Sequence, residues 1–152
     1  MTSTTVTDRI EKTVILKAPR SRIWKALSDA KQFGEWFQVK LDGEFKAGET
    51  IHGTITYPGY EGHTMAMAVE RIEPERLFSY RWHPGDPKVD YSAEAMTLVE
   101  FTLEDVPGGT RLTIVESGFD NIPLSRRAEA FRMNEGGWTE QVENIQRHVA
   151  RS

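Results

Sequence analysis

Two periodicities divide the chain. Near the C-terminus, Trp138, Val142, Ile145 and Val149 recur at spacings of four, three and four, which places them on one face of a helix. Such a helix needs a surface to bury that face. The segments before it supply one, because apolar and polar residues alternate there with a period of two, as in an antiparallel sheet with one face to cover.

The first segment, Ile10 to Lys17, is rich in β-branched residues and predicts a strand. Pro19 ends it and opens a short amphipathic helix, Pro19 to Ser28, with Ile23, Trp24 and Leu27 at helical spacing. A second short helix or turn carries Phe33, Trp36 and Phe37. So much aromatic surface in so few residues belongs in the core or around the rim of an opening.

From Val39 the chain reads as a meander with turns at Asp42-Gly43, Ala47-Gly48, residues 58–62, Pro74-Glu75, residues 83–87 and residues 107–109. Between them, Ile51, Gly53, Ile55 and Tyr57 share one face, as do Met65, Met67 and Val69, then Phe78, Tyr80 and Trp82, with Leu77, Ser79, Arg81 and His83 opposite. Val99, Phe101 and Leu103 follow inward, and Leu112, Ile114 and Glu116 share a side. After Gly118, the residues Asp120, Asn121 and Pro123 mark a helix start, and Leu124 to Met133 reads as a polar helical run. The pair Gly136-Gly137 costs a helix about 1 kcal/mol per glycine relative to alanine. It predicts either an interruption or a close approach of the backbone to something else.

Length and charge narrow the class. A chain of 152 residues is of single-domain size and should bury roughly 70% of its unfolded surface. The expected organisation is a flexible N-terminus over 1–9 and one domain over 10–152. A net charge of -4 gives no broad attraction to nucleic acid or anionic membrane. The absence of cysteine removes disulfides, zinc thiolates and thiol catalysis, and fits a reducing compartment. The N-terminal residues have no signal-peptide pattern and no window approaches a membrane span, so the expected location is cytoplasmic.

A family resemblance rests on the order of short motifs: Ala18-Pro19 with Ile23-Trp24, residues 43–48 (GEFKAG), residues 72–77 (IEPERL), residues 108–112 (GGTRL) and Gly137-Trp138. In this order they resemble the activator of heat-shock-protein-90 ATPase homologue family, of the START-like, birch-pollen-allergen-like (SRPBCC) superfamily, from about Ile10 to Arg151. The resemblance implies an α+β helix-grip fold: a curved antiparallel sheet of six to seven strands, the seventh being Val39 to Leu41, wrapped on a long C-terminal helix, with two short helices after the first strand. It also implies a single START-like domain with a cavity for apolar ligands under the last helix. It transfers no catalytic set. Co-chaperone members of the family join this domain to a second, N-terminal one, which is not expected here, so the resemblance weighs against a chaperone contact.

Sequence motifs for common chemistries are missing. The histidines at 52, 63, 83 and 148 have no i, i+4 pairing, so no metal site is expected. Glu116-Ser117-Gly118 is not a nucleophile elbow, and neither glycine pair makes a dinucleotide or phosphate loop. No cofactor is expected. The candidate catalytic group is Glu116, whose carboxylate the strand alternation aims inward, where it could orient a ligand or act as an acid or base. The competing reading, favoured about two to one, puts it at the strand end near solvent or paired with an arginine such as Arg132. Tyr57 and Tyr80 are candidate hydroxyl donors to the same interior.

The apolar candidates for ligand binding fall on each element. Trp24, Trp36 and Phe37 come from the early helices; Ile55, Met65, Met67, Phe78, Trp82, Phe101 and Ile114 come from the strands; Phe131, Trp138 and Val142 come from the closing helix. Each is also ordinary core material. An empty apolar cavity of about 300 Å³, at roughly 24 cal/mol per Å³, would cost ~7 kcal/mol, against a whole-domain stability of ~5–15 kcal/mol. Any cavity is therefore small, hydrated or filled. The leading expectation is a carrier or sensor of a hydrophobic small molecule, such as a lipid, flavonoid or polyketide-like compound. A pocket enzyme of polyketide cyclase or aromatase type ranks second, and a chaperone ATPase regulator third. A homodimer is compatible with the sequence.

Overall fold

Each alternating segment becomes a strand, and each segment of helical period becomes a helix. The computed structural model describes residues 9–86, 88–91 and 93–150. Strands β1 (Arg9–Leu16), β2 (Val39–Leu41), β3 (Thr50–Ile55), β4 (Thr64–Glu73), β5 (Leu77–Trp82), β6 (Thr97–Val106) and β7 (Gly109–Ser117) form one antiparallel sheet in the order β1-β7-β6-β5-β4-β3-β2. Helices α1 (Arg20–Ser28) and α2 (Ala30–Phe37) carry the chain from β1 at one edge to β2 at the other. A 3-10 turn at Phe119–Asn121 leads into α3 (Leu124–Ala150), which packs against β1, α1 and α2. This is the α+β helix-grip arrangement, with seven strands. Of the expected flexible lead over 1–9, residues 1–8 lie outside the described residues, and Arg9 begins β1.

The core lies between the sheet's inner face and the three helices. Phe33 of α2 is its hub, with Trp36, Phe45, Tyr80 and Phe101 at centroid distances of 4.8 to 6.4 Å, all edge-on to it, the packing that aromatic quadrupoles favour. Helix α2 starts where Asp29 Oδ1 accepts from the amides of Lys31 (2.9 Å) and Gln32 (3.4 Å), satisfying otherwise orphaned donors. It stops at Gln38, whose φ of 69° turns the chain directly into β2. That turn is tight enough that a Cβ on Gly34 would lie 2.2 Å from the Val39 carbonyl oxygen.

Two features depart from the sequence pattern. In β5, Leu77 and Ser79 are buried along with Phe78 and Tyr80; on the outer face they stand between Glu73 and Arg71 of β4 and Thr102 and Glu100 of β6, whose long side chains can cover them. The second concerns the glycine pair. Helix α3 runs unbroken through Gly136 and Gly137, and a Cβ on either would meet nothing within 4 Å among the described residues. The pair neither interrupts the helix nor admits a neighbouring backbone. Tertiary packing on both sides holds the helix through it, since Trp138, Ile145 and Val149 are buried as their spacing predicted and Ala130 is buried before the pair.

Candidate functional site

The glycine pair opens onto a cleft of about 550 Å³ between α3 and the end of the sheet. Phe37 and Gln38 wall it from the end of α2, Ile55 from β3, Tyr57 and Tyr60 from the following turn, Trp82 from β5, and Gly85 from the loop beyond. Helix α3 contributes Arg132, Met133, Asn134, Gly136, Gly137, Trp138, Glu140 and Gln141. Residues four apart on a helix stack on one face, so these form three rows: Asn134 and Trp138; Met133, Gly137 and Gln141; Arg132, Gly136 and Glu140. Each of the last two rows has a glycine at its middle. A second hollow, of about 530 Å³, shares Phe37, Ile55, Trp82, Gly85 and Asn134 and continues along Met65 and residues 88–91.

Beneath the cleft lies Glu116, 0% exposed. Its carboxylate accepts from the indole N–H of Trp82 (2.8 Å) and of Trp138 (2.8 Å), from the amide of Asn134 (2.9 Å to each oxygen), and from the hydroxyl of Thr97. Sequence alternation aimed this side chain inward correctly. It is neither at a solvent-exposed strand end nor paired with Arg132. Neutral donors hold it instead, and they come from β5, β6 and α3, so one buried group ties the sheet to the helix. A carboxylate has about four lone-pair directions, and five contacts occupy them. Tyr80 lies close enough to feel this charge: burial first, and the Glu116 carboxylate second, push its phenol well above 10.0. Among the described residues its hydroxyl has no hydrogen-bond partner, and the raised phenol stays protonated.

At the mouth, the Tyr57 hydroxyl donates to Glu140 Oε1 at 2.7 Å, joining the β3–β4 turn to α3 across the opening. That bond, then burial and the carboxylate's charge, raise the Tyr57 phenol above its usual value. Gln141 Nε2 donates to the Phe37 carbonyl at 3.2 Å, a second strap. Asn134 uses both ends of its amide, since Oδ1 accepts from the Gly85 amide at 3.3 Å.

The sixteen sequence candidates separate spatially. Phe37, Ile55, Tyr57, Trp82 and Trp138 line the cleft, and Met65 lines the adjoining hollow. Met67, Phe78, Tyr80, Phe101, Ile114 and Glu116 are fully or almost fully buried in the layer below. Val142 and Trp24 are half-buried against the core. Trp36 is buried, donates its indole N–H to the Ala26 carbonyl at 2.8 Å and borders a separate polar groove with Arg22 and His148. Phe131 packs on Phe119 at 5.3 Å. Sequence reasoning did not find Tyr60, Met133, Asn134 or Gln141 as lining residues. Asn134 alone carried a signal, one helical turn before Trp138. Among the described residues, no three His, Asp or Glu side chains gather as a metal site would require, and no helix is long and apolar enough to cross a membrane.

Comparisons with known proteins agree with this architecture. The profile of the activator of Hsp90 ATPase homolog 1-like proteins matches residues 17–150. Protein MLL2253 from Mesorhizobium loti is similar at 25% identity and a TM-score of 0.76, over 95% of this chain and 98% of that one. A protein from Arthrobacter aurescens is similar at 17% identity and a TM-score of 0.76, over 96% of this chain and 88% of that one. DynU16, a protein of the dynemicin biosynthetic locus, aligns at 22% identity and a TM-score of 0.71, over 94% of this chain but 47% of its own. The last two likenesses speak for the fold alone. Among curated proteins, none matches the sequence. Motif order, sheet topology and the family profile together establish that the chain belongs to the activator of Hsp90 ATPase homolog 1-like family.

Proposed function

We propose that this domain binds a hydrophobic small molecule in the cleft beside Gly136 and Gly137 and acts as its carrier or sensor. The glycine pair supports this reading most directly. Two glycines inside a helix cost about 1 kcal/mol each relative to alanine, and packing among the described residues does not require them, since a Cβ at either meets none of those residues within 4 Å. What their absence of side chains leaves open is the cleft itself. Its other walls combine Phe37, Ile55, Tyr57, Tyr60, Trp82, Met133 and Trp138 with the polar Gln38, Arg132, Asn134, Glu140 and Gln141, which suits a largely apolar ligand with a few polar groups.

A cyclase-like activity would need an acid or base free to exchange a proton with the ligand. Glu116 is a poor candidate, because Trp82, Thr97, Asn134 and Trp138 already engage its carboxylate. Tyr80 lies buried below the cleft lining. The position of DynU16 in a biosynthetic locus makes a polyketide-like compound a reasonable first ligand class, alongside flavonoids and fatty acyl chains. Regulation of a chaperone ATPase ranks last, as nothing in the cleft requires a protein partner.

The test is a thermal-shift screen with members of these three ligand classes. Stabilisation by at least one of them, competed by a second member of the same class, is the expected result. No shift from any of them would overturn the proposal.

A further inference from the structure

Charge is distributed unevenly around the cleft. Every other described arginine has a carboxylate, amide, carbonyl or aromatic partner: Arg9, Arg20, Arg71, Arg76, Arg81, Arg111 and Arg126 are in ion pairs, and Arg22, Arg127 and Arg147 are in hydrogen bonds. Arg132 has none among the described residues, and it lines the apolar cleft. Glu140 stands two helical turns further along the same row, about 12 Å away at 1.5 Å rise per residue, where the Tyr57 hydroxyl already engages it. Between them the row is bare at Gly136. The third charge, that of Glu116, lies under the cleft floor, with Trp82, Asn134 and Trp138 as its donors.

Resting on the reading of the cleft as a ligand site, we infer that its ligand is an apolar carboxylic acid whose carboxylate binds Arg132 and whose body lies over the bare backbone at Gly136 and Gly137. The two carboxylates set the orientation. Glu116 repels an anion from the floor and Glu140 repels it from the far end of the mouth, so the anionic head settles at the arginine and the apolar body points inward. A guanidinium presents a planar fork that matches a carboxylate with two parallel hydrogen bonds. Arg132 is exposed, so this pairing contributes the modest preference of a surface ion pair.

Isothermal titration with three naphthalenes of similar shape tests this: 2-naphthoic acid, neutral 2-naphthamide and cationic 2-naphthylmethylamine, against wild type, Arg132→Gln and Gly137→Leu. The acid should bind wild type at least about fivefold more tightly than the amide, the worth of a partly exposed charge-assisted pair. Arg132→Gln should remove that preference without changing amide affinity, and Gly137→Leu should weaken both ligands. If the acid binds no better than the amide, or Arg132→Gln leaves the preference intact, the inference falls, while loss of amide binding in Gly137→Leu still upholds the cleft. Tightest binding by the amine also overturns it, in favour of the Glu140 end. Binding of none of the three removes both the inference and the reading beneath it.

Discussion

Trp82 and Trp138 stack with ring centroids 5.8 Å apart and an interplanar angle of 30°, and both direct their indole N–H at the carboxylate of Glu116. One tryptophan belongs to the sheet and the other to the closing helix. The shared acceptor therefore fixes the two layers against each other directly below the cleft. Phe37 completes the aromatic corner, 5.8 Å from Trp82 and 6.2 Å from Trp138.

If Glu116 is the clamp of this corner, removing it strands several buried donors at once. Glu116→Ala is expected to destabilise the fold by about 3–5 kcal/mol, because each buried donor left without an acceptor costs about 1–3 kcal/mol. Glu116→Gln, which replaces one acceptor oxygen by a donor among donors, should cost about 2 kcal/mol. Urea denaturation of both variants measures this. A Glu116→Gln protein as stable as wild type would show that the network contributes nothing to holding the helix.

Gly136 and Gly137 are expected to trade stability for space. Gly136→Ala should stabilise the protein by about 0.5–1 kcal/mol, because the added methyl meets open space and the helix gains propensity. Gly137→Leu should fill the middle row of the cleft and abolish ligand-induced stabilisation while leaving the fold intact. Thermal unfolding with and without ligand separates the two effects.

Tyr80 offers a pH test. Burial and the nearby Glu116 carboxylate raise its phenol above 10.0 in the folded protein. As pH rises past that value, the unfolded chain loses the proton first, so the unfolded state binds fewer protons and stability falls. Below it the contribution is fully present. Tyr80→Phe removes a buried hydroxyl that has no partner among the described residues, so it should be neutral or stabilising by up to about 1 kcal/mol at neutral pH. It should also flatten part of the alkaline loss. Denaturation midpoints between neutral and strongly alkaline pH report both.

The turn from α2 into β2 positions Phe37 at the cleft. An alanine at Gly34 would push its Cβ to 2.2 Å from the Val39 carbonyl oxygen, a rigid backbone atom. Gly34→Ala should therefore cost about 2–3 kcal/mol, as overpacking does elsewhere, and should weaken ligand binding through the displaced Phe37. An unchanged unfolding midpoint would contradict this.

Much of the architecture was legible because it follows from period. Alternation through Leu112, Ile114 and Glu116 put the carboxylate on the inner face, and the row from Trp138 to Val149 identified the buried stripe of the closing helix. The partners of Glu116 were not legible. Trp82 lies 34 residues before it in the chain and Trp138 lies 22 after, and no local rule states that two indoles on different elements will converge on one acceptor. Leu77 and Ser79 misled for the opposite reason: alternation leaves their face solvated, whereas Glu73 and Arg71 of β4 and Thr102 and Glu100 of β6 stand beside them on that face, and the stems of long charged side chains cover such positions. The glycine pair is legible in the sequence as a cost to the helix. Its consequence, an opening rather than a break or a close contact, depended on what stands opposite it.

Native mass spectrometry of the purified protein and of Gly137→Leu, side by side under non-denaturing conditions, tests the central claim most directly. The account predicts a small molecule, retained or added, that adds mass to the wild-type chain and is lost from the variant. A wild-type spectrum that shows only the bare chain in the presence of apolar acids, or an adduct that the variant holds equally well, would contradict it.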